Sequence, residues 1–309
     1  MLQLIHALPA PWADAVVASL LGDAFGVPHE FKWGHEIPPI ENLHMEMPAG
    51  YPKSYAGVPY GTWSDDGSQL LALLCVLDES EGVFRSGAFI QALQSWYHEG
   101  WCQAGGVVFD CGGQTRAALS AHAAGRLPDT DEHFCGNGSL MRVLPVASLP
   151  DWFGLPRNEA IRIAMAQSEV THPQALPRVC CALYVELCWL VRKGPVATGE
   201  QGMRLLMSDA VRALLSRDIL NNEELSALSK VVAYGGRHML NNSGFVVDTL
   251  WSALWALVRA NTLSDTLRMA VSLGNDTDTV ACLAGGLGYL AYGWDTTALA
   301  WRRQLVGIS

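Results

Sequence analysis

Two short turns in the chain combine carboxylates and hydroxyls in a way that could bind metal ions. In the first turn Ser64 is followed directly by Asp65 and Asp66, and in the second Asp276 and Asp278 are each followed by a threonine. A run of apolar residues with helical spacing follows each turn, so each turn is predicted to open a buried helix. The two turns therefore present their carboxylates from rigid elements rather than from loose loops.

Helix capping is the alternative explanation for these turns, because Asp, Ser and Thr satisfy the free amides at a helix start and the helix dipole favours negative charge there. A cap needs one acceptor, whereas each turn offers two carboxylates. If the turns meet in space, four carboxylates cannot all remain ionised in a partly buried site without a compensating cation. Oxygen ligands of this kind favour magnesium or manganese. An EF-hand is a poor alternative, because the residues after Asp276 lack the mid-loop glycine and the closing glutamate.

Two further carboxylates stand at predicted ends of elements. Glu30 follows a helix that must stop near Pro28, and an anion at a helix C-terminus is unfavourable, which indicates either a functional role or a solvated loop. Asp110 follows an apolar triplet and precedes a glycine-rich turn, where it could be catalytic or a plain N-cap.

A second kind of candidate site is the glycine-rich turn formed by Gly136, Asn137 and Gly138. If this turn opens a helix, its amides could bind a phosphate, although an ordinary Asn-Gly turn has the same pattern. His172 lies before a proline-started helix, where a capping or packing role is the commoner one for a single histidine.

Length and composition limit the class of protein. A chain of 309 residues, half of them apolar, predicts one large domain over residues 1–309, with two domains as the alternative. The formal net charge of −10 disfavours nonspecific binding to nucleic acid or to an anionic membrane surface. Eight cysteines without metal-binding spacing, no secretory signal and no apolar run of membrane-spanning length predict a soluble cytoplasmic protein. We expect it to be a monomer.

Helical periodicity dominates the rest of the chain. The segment 32–60 has no period, and we interpret it as a lid or rim over the acidic site. Thr198 and Gln201 predict a capping box for one helix. The predicted helices cover residues 12–26, 69–78, 86–99, 116–124, 156–169, 174–191, 201–215, 223–232, 244–259, 265–273 and 280–292.

Seven motifs in fixed order carry a resemblance to a known family. They are GDAFG at 22–26 with Glu30, WSDD at 63–66, DCG at 110–112 with TRAAL at 115–119, GNG at 136–138 with Met141 and Arg142, TH at 171–172, SGFVVDTL at 243–250, and NDTDT at 275–279. Together they resemble the ADP-ribosylglycohydrolases, which include the dinitrogenase reductase-activating glycohydrolases and the ADP-ribosylhydrolase-like proteins of animals. The correspondence extends from about residue 12 to about residue 293.

The resemblance implies an all-α orthogonal bundle with a binuclear magnesium site, in which manganese can substitute. It implies that Asp110 is needed for turnover, as base or as orienter of water, and that Glu30 lies beside the metals. It places Gly136, Asn137, Gly138 and His172 where the pyrophosphate and ribose are held. The metal ligands that it implies are Ser64, Asp65, Asp66, Asp276, Asp278 and Thr279.

Departures from the family pattern concern the substrate more than the metals. Ser64 replaces a usual threonine and keeps the hydroxyl, whereas Phe245 stands at a substrate-side position that is often tyrosine. The activity implied is metal-dependent removal of ADP-ribose from modified proteins, with arginine as the favoured linkage and free ADP-ribose as product. Serine linkage or an O-linked ADP-ribose ester is the alternative within this class. A non-catalytic ADP-ribose-binding protein is the alternative outside it.

Overall fold

The computed structural model describes residues 2–131, 135–235 and 241–307, and these residues form fifteen α-helices. Short 3-10 turns occupy Val27–His29, Gly34–Glu36, Ile40–Asn42 and Ala104–Gly106. In chain order the helices are α1 (Leu2–Ala7), α2 (Trp12–Gly26), α3 (Asp65–Glu79), α4 (Ser86–Glu99), α5 (Gly113–Ala123), α6 (Leu144–Ala147), α7 (Leu149–Trp152), α8 (Arg157–Glu169), α9 (Ala175–Val191), α10 (Gly199–Leu215), α11 (Asn222–Tyr234), α12 (Val246–Val258), α13 (Leu263–Ser272), α14 (Thr277–Tyr292) and α15 (Thr296–Arg302).

The predicted all-α fold is therefore confirmed. Within the described ranges, β-type pairing is limited to two isolated bridges, Trp33 with Gly274 and Gly136 with Phe245. The buried apolar side chains of the helices form one contiguous cluster. None of the helices in the described residues is long and apolar enough to cross a membrane.

The helices α2 and α14 form the centre of the bundle and pack on each other more extensively than any other pair. Both carry small residues on the shared face, so their backbones approach closely. A methyl group added at Gly22 would lie 1.9 Å from Ala281 O, and one added at Gly285 would lie 2.2 Å from Ala18 O. The helices α9, α12 and α13 then surround α14, which explains why its sequence carries no charge beyond its first turn.

The acidic turns lie at the starts of α3 and α14, as predicted, and both helices begin earlier than their apolar runs. Asp65 and Asp66 are the first two residues of α3, and Asp276 is the N-cap of α14. Each acidic turn is therefore part of the helix it opens, which fixes the direction of its side chains.

Two local expectations are wrong. Thr198 is the N-cap of α10, but its side chain makes no capping hydrogen bond, so the predicted capping box is absent. The turn at 136–138 does not open a long helix, because the next helix is the four-residue α6, which starts at Leu144 with a proline in its first turn. The chain between them continues as turns.

Candidate active site

A cavity of about 600 Å³ brings the two acidic turns together with the two isolated carboxylates. The start of α3 and the start of α14 form one wall, and the residues before α5 and after α2 complete it. Within the described part of the chain, no lysine or arginine lines this cavity. The carboxylates that line it are Glu30, Asp65, Asp66, Asp110, Asp276 and Asp278.

The turn at the start of α3 is held by an aspartate from another helix. The Asp23 carboxylate, fully buried in α2, accepts hydrogen bonds from Ser64 N at 2.9 Å and from Gly67 N at 2.7 Å. Ser64 Oγ accepts from Asp66 N at 3.3 Å as the N-cap of the helix. Because Asp23 and Ser64 satisfy the first amides, the carboxylates of Asp65 and Asp66 are released from capping and can serve the cavity.

The turn at the start of α14 is arranged in a similar way. Asp276 occupies the N-cap position but makes no capping hydrogen bond with its side chain. Its Oδ2 instead accepts from Asn137 Nδ2 at 2.6 Å, so the turn at 136–138 directly contacts this carboxylate. The two acidic turns meet where Thr279 Oγ1 donates to Asp66 Oδ2 at 3.4 Å. The expectation that the turns are close in space is therefore met.

A third group of carboxylates lies at the same place. Oxygen atoms of Glu30, Asp110 and Asp278 all lie within 4.8 Å of one another, although the three residues come from different parts of the chain. The hydroxyl of Tyr55 lies close enough to Glu30 and Asp110 to lower the pKa of both carboxyls, against the effect of burial. Asp110 is thus part of the cluster and is not the cap of α5, whose N-cap is Gly112.

The electrostatics of the cluster are those of a site that needs a cation. Burial, followed by the nearby charges of Asp110 and Asp276, raises the pKa of Glu30 to about 9. Burial likewise raises the pKa of Asp66 and of Asp278 well above the usual range, and neighbouring carboxylates add to the shift. Without a cation these groups avoid mutual repulsion only by binding protons.

The donor atoms fit a divalent metal ion. Among the described residues, Glu30 Oε2 and Asp66 Oδ1 are buried and have no hydrogen-bond partner. Buried polar atoms are seldom left unpaired, so these oxygens are candidates for contact with a ligand or ion. The available donors are carboxylate and hydroxyl oxygens, which suit magnesium or manganese better than a soft metal.

Another part of the cavity lining carries a different chemistry. It is formed by the turn at 136–138, by His172 and by the first turn of α5 with Gln114 and Thr115. Gly136 N donates to Gln114 Oε1 at 3.1 Å and Asn137 N donates to Gly244 O at 3.1 Å, so these two amides are already used within the protein. The predicted amide cradle is therefore smaller than expected, and His172 and Thr115 Oγ1, a buried oxygen without a partner in the described residues, are the remaining polar groups there.

Ser64 and Phe245 lie at the margin of the site. Ser64 is fully buried and caps α3. Its hydroxyl also donates a hydrogen bond to Asp66 Oδ2 at 3.1 Å, which holds that carboxylate in place. Phe245 pairs through its backbone with Gly136, and its ring packs 5.9 Å from that of Tyr234. Its neighbours from Asn242 to Gly244 line the cavity, whereas Phe245 is not among the described lining residues.

Sequence reasoning did not assign a role to Tyr55 or Asp23. Tyr55 lies in the aperiodic segment 32–60 and had no local signal, but it shows that this segment borders the acidic site. Asp23 did have a signal, because it is a carboxylate in the apolar C-terminal half of α2, away from Asp14 in the first turn, and such a residue needs buried partners.

The comparison with known proteins agrees with this architecture. A family model described as ADP-ribosylglycohydrolase matches residues 12–307. The chain belongs to the ADP-ribosylglycohydrolase family. Membership over nearly the whole length confirms the family predicted from the seven motifs.

Individual relatives cover most of this ADP-ribosylglycohydrolase. The ADP-ribosylarginine hydrolase Tri1 of Pseudomonas putida (strain GB-1) is 32% identical over 290 residues, which are 90% of this chain and 70% of the relative. The ADP-ribosyl-dinitrogen reductase glycohydrolase of Rhodospirillum rubrum is 25% identical over 94% of this chain and 88% of its own. A solved structure titled ADP-ribosylglycohydrolase-related protein complex superposes with a TM-score of 0.66 at 25% identity and covers 96% of both chains.

Proposed function

We propose that this ADP-ribosylglycohydrolase hydrolyses the bond between ADP-ribose and an arginine side chain of a modified protein, with magnesium as cofactor and manganese able to substitute. The observation that carries the proposal is a single cavity that is lined by six carboxylates and also by Gly136, Gly138 and His172. The arginine linkage is supported by the relatives named ADP-ribosylarginine hydrolase, at 32% and 28% identity.

Charge determines how the substrate lies in the cavity. The pyrophosphate is an anion and is repelled by the carboxylates, so we place it against Gly138 and His172, which line the same cavity. The ribose that carries the scissile bond then reaches the acidic wall. The modified arginine leaves toward the rim beside Phe31 and Tyr55, where the cavity borders the aperiodic segment.

The acidic turns would hold two magnesium ions. When bound, the ions supply positive charge that orients the ribose hydroxyls and lowers the pKa of water. Asp66 and Asp278 are the most buried carboxylates available for this role. Asp23, outside the cavity, and Asn137, which lines it, hold the two turns in place by hydrogen bonds. The full proposed ligand set is Ser64, Asp65, Asp66, Asp276, Asp278 and Thr279.

Glu30 and Asp110 are the proposed acid–base groups. Both line the cavity, and their carboxylate oxygens lie within 4.8 Å of each other, with the Tyr55 hydroxyl beside them. One of them accepts the proton of the attacking water. The surrounding carboxylates stabilise the positive charge that develops on the ribose as the bond to arginine breaks.

The experiment is an assay of free ADP-ribose released from ADP-ribosyl-arginine and ADP-ribosyl-serine peptides, with magnesium and with chelator. We expect magnesium-dependent release from the arginine peptide and loss of at least about a hundredfold in Asp278→Asn, by analogy with removal of other charge-stabilising groups. The control is Asp265→Asn, which changes a half-exposed carboxylate on α13 and should leave the rate unchanged.

Other outcomes would replace the proposal. Release from the serine peptide alone would move the protein to the serine-linked class. Binding of ADP-ribose without its release from either peptide would indicate a non-catalytic ADP-ribose-binding protein. Release of ADP-ribose in the presence of chelator would show that the reaction does not depend on a metal ion. A cytoplasmic location and a monomeric state stay predictions, and light scattering during size-exclusion chromatography would measure the second.

A further inference from the structure

Arg142 is a buried cation whose position calls for a reason, because an ionised guanidinium is costly to remove from water. The side chain is fully buried and donates Nε to Gln167 Oε1 at 2.9 Å and Nη1 to Gln69 Oε1 at 2.7 Å. Its Nη2 donates to Gln167 O at 3.0 Å and to Thr171 Oγ1 at 2.8 Å. These acceptors are all neutral oxygens. Burial lowers the pKa of Arg142 to about 9, which leaves it charged at neutral pH.

The chemistry of arginine fixes the direction of the hydrogen bonds beyond it. A guanidinium donates and never accepts, so Thr171 Oγ1 must accept from Arg142. The hydroxyl of Thr171 then has one proton to give, and among the described residues its other hydrogen-bond partner is His172 Nδ1 at 2.8 Å, so we assign Nδ1 as the acceptor. If Nδ1 accepts, the proton of a neutral imidazole is on Nε2. Burial, followed by the charge of Arg142, lowers the pKa of His172 well below its usual value, so the ring is neutral.

The Nε2 edge of His172 faces the glycine turn of the cavity. A methyl group added at Gly138 would lie 2.9 Å from His172 Cε1 and 3.2 Å from Nε2, and one added at Gly136 would lie 3.5 Å from Nε2. Glycine at both positions therefore leaves the Nε2–H group accessible from the cavity that His172 lines.

The same arginine also orients a group on the acidic wall. Since Gln69 Oε1 must face the donor on Arg142, Gln69 Nε2 is turned toward Asp65 Oδ2, at 3.3 Å. One buried cation thus orients Gln69, which contacts Asp65, and Thr171, which contacts His172, and both Asp65 and His172 line the cavity.

We propose that Arg142 and Thr171 are positioning residues that hold His172 as the Nε2–H tautomer, so that a neutral imidazole donates a hydrogen bond to an oxygen of bound ADP-ribose. The identity of the ligand rests on the function proposed above, whereas the tautomer depends only on the hydrogen bonds within the protein. A neutral imidazole can donate a hydrogen bond to an anionic ligand. A protonated imidazole would in addition be attracted to the nearby carboxylates.

The direct test is the two-bond ¹⁵N–¹H spectrum of histidine-labelled protein, with the His172 signals assigned by their loss in His172→Gln. We expect wild type to show a protonated Nε2 and an unprotonated Nδ1. Thr171→Val should lose that preference and bind ADP-ribose about tenfold more weakly in titration calorimetry, which is the size expected for one hydrogen bond of this kind. Thr171→Ser should restore both.

Thr266→Val is the matched control, because this threonine is equally buried and its hydroxyl donates to Thr262 O on α13, outside the cavity. It should leave both the His172 spectrum and the ADP-ribose affinity unchanged. A wild-type spectrum with the proton on Nδ1 overturns the positioning role, and it needs no variant to fold. If wild type has the Nε2–H tautomer but does not bind ADP-ribose, the positioning of His172 stands. ADP-ribose is then not its ligand, and the proposed function fails.

Discussion

Asp276 and Asp295 both occupy the N-cap position of a helix but use their side chains differently. Asp295 Oδ1 accepts from Thr297 N at 2.9 Å and from Ala298 N at 3.0 Å, as a capping residue does. Asp276 makes no such bond, and its carboxylate faces Asn137 in the cavity. Residue type and position are the same in the two cases, so only the direction of the side chain separates a structural aspartate from a functional one.

This contrast gives a paired prediction. Asp295→Ala should destabilise the protein by about 1 kcal/mol through loss of a cap, while its magnesium affinity stays that of wild type. Asp276→Ala should lose magnesium binding, yet in chelator it should be as stable as wild type or more so, because a carboxylate is removed from a crowded site. Urea unfolding in chelator and calorimetric titration with magnesium measure the two effects. Equal destabilisation by both changes, with magnesium affinity kept, would make Asp276 a cap.

At the scale of elements, the site depends on how closely α2 and α14 approach. Gly22 lies against the backbone of Ala281, and Gly26 lies against that of Asp278, a proposed metal ligand. The distance between the two helices therefore sets where the acidic turn of α14 stands relative to Glu30 and Asp66. The small residues where α2 and α14 cross are therefore needed both for the packing of the core and for the position of the acidic turn.

We expect Gly22→Ala to force these helices apart and to destabilise the protein by about 1–3 kcal/mol, the usual cost of overpacking. Magnesium affinity should fall with it, although no ligand is changed. Gly87→Ala is the control, since Gly87 lies in α4 with no atom within 4 Å of an added methyl group. It should be neutral or stabilising by up to about 1 kcal/mol. Thermal melts and magnesium titration of both variants measure this, and a Gly22→Ala protein with normal affinity would disprove the dependence on helix spacing.

The elements themselves were largely predictable, because helical periodicity is a local property of the sequence. The bounds predicted for α2 and α4 are those observed. The acidic turns were predictable as a site because two carboxylates exceed what a cap needs. Contacts between distant segments were not predictable: Tyr55 reaches Glu30 from a segment with no period, and Asp23 caps a helix other than its own. The turn at 136–138 resembled a helix start. The chain after this turn instead continues as turns until α6, a four-residue helix with Pro145 in its first turn.

At the scale of the whole molecule, this protein of net charge −10 encloses six carboxylates in one cavity. Folding therefore brings like charges together at a cost that either protons or cations must offset. Burial raises the pKa of Asp23 to about 7 and that of Glu30 to about 9, from values near 4 in the unfolded chain. Between the pKa of each carboxyl in the unfolded chain and its raised pKa in the folded protein, the folded state therefore binds more protons than the unfolded state does.

The sign of the resulting pH dependence follows from linkage. For an acid whose pKa is raised on folding, the stabilising contribution is complete below the unfolded pKa and is lost as the pH rises through the folded pKa. In chelator, the melting temperature should therefore fall between pH 6 and pH 9. Magnesium, as the proposed cofactor, would bind only the folded site and replace the lost protons, so the rise in melting temperature that it causes should grow over the same range.

Differential scanning calorimetry at constant ionic strength, with and without magnesium, measures both trends. Glu30→Gln should flatten the fall seen in chelator, because it removes the carboxyl with the pKa of about 9 from the site. Glu159→Gln changes a half-exposed carboxylate on α8 and should leave the slope unchanged. A melting temperature in chelator that is constant from pH 6 to pH 9, together with a magnesium effect that does not vary with pH, would contradict the view that the cavity exchanges protons for cations.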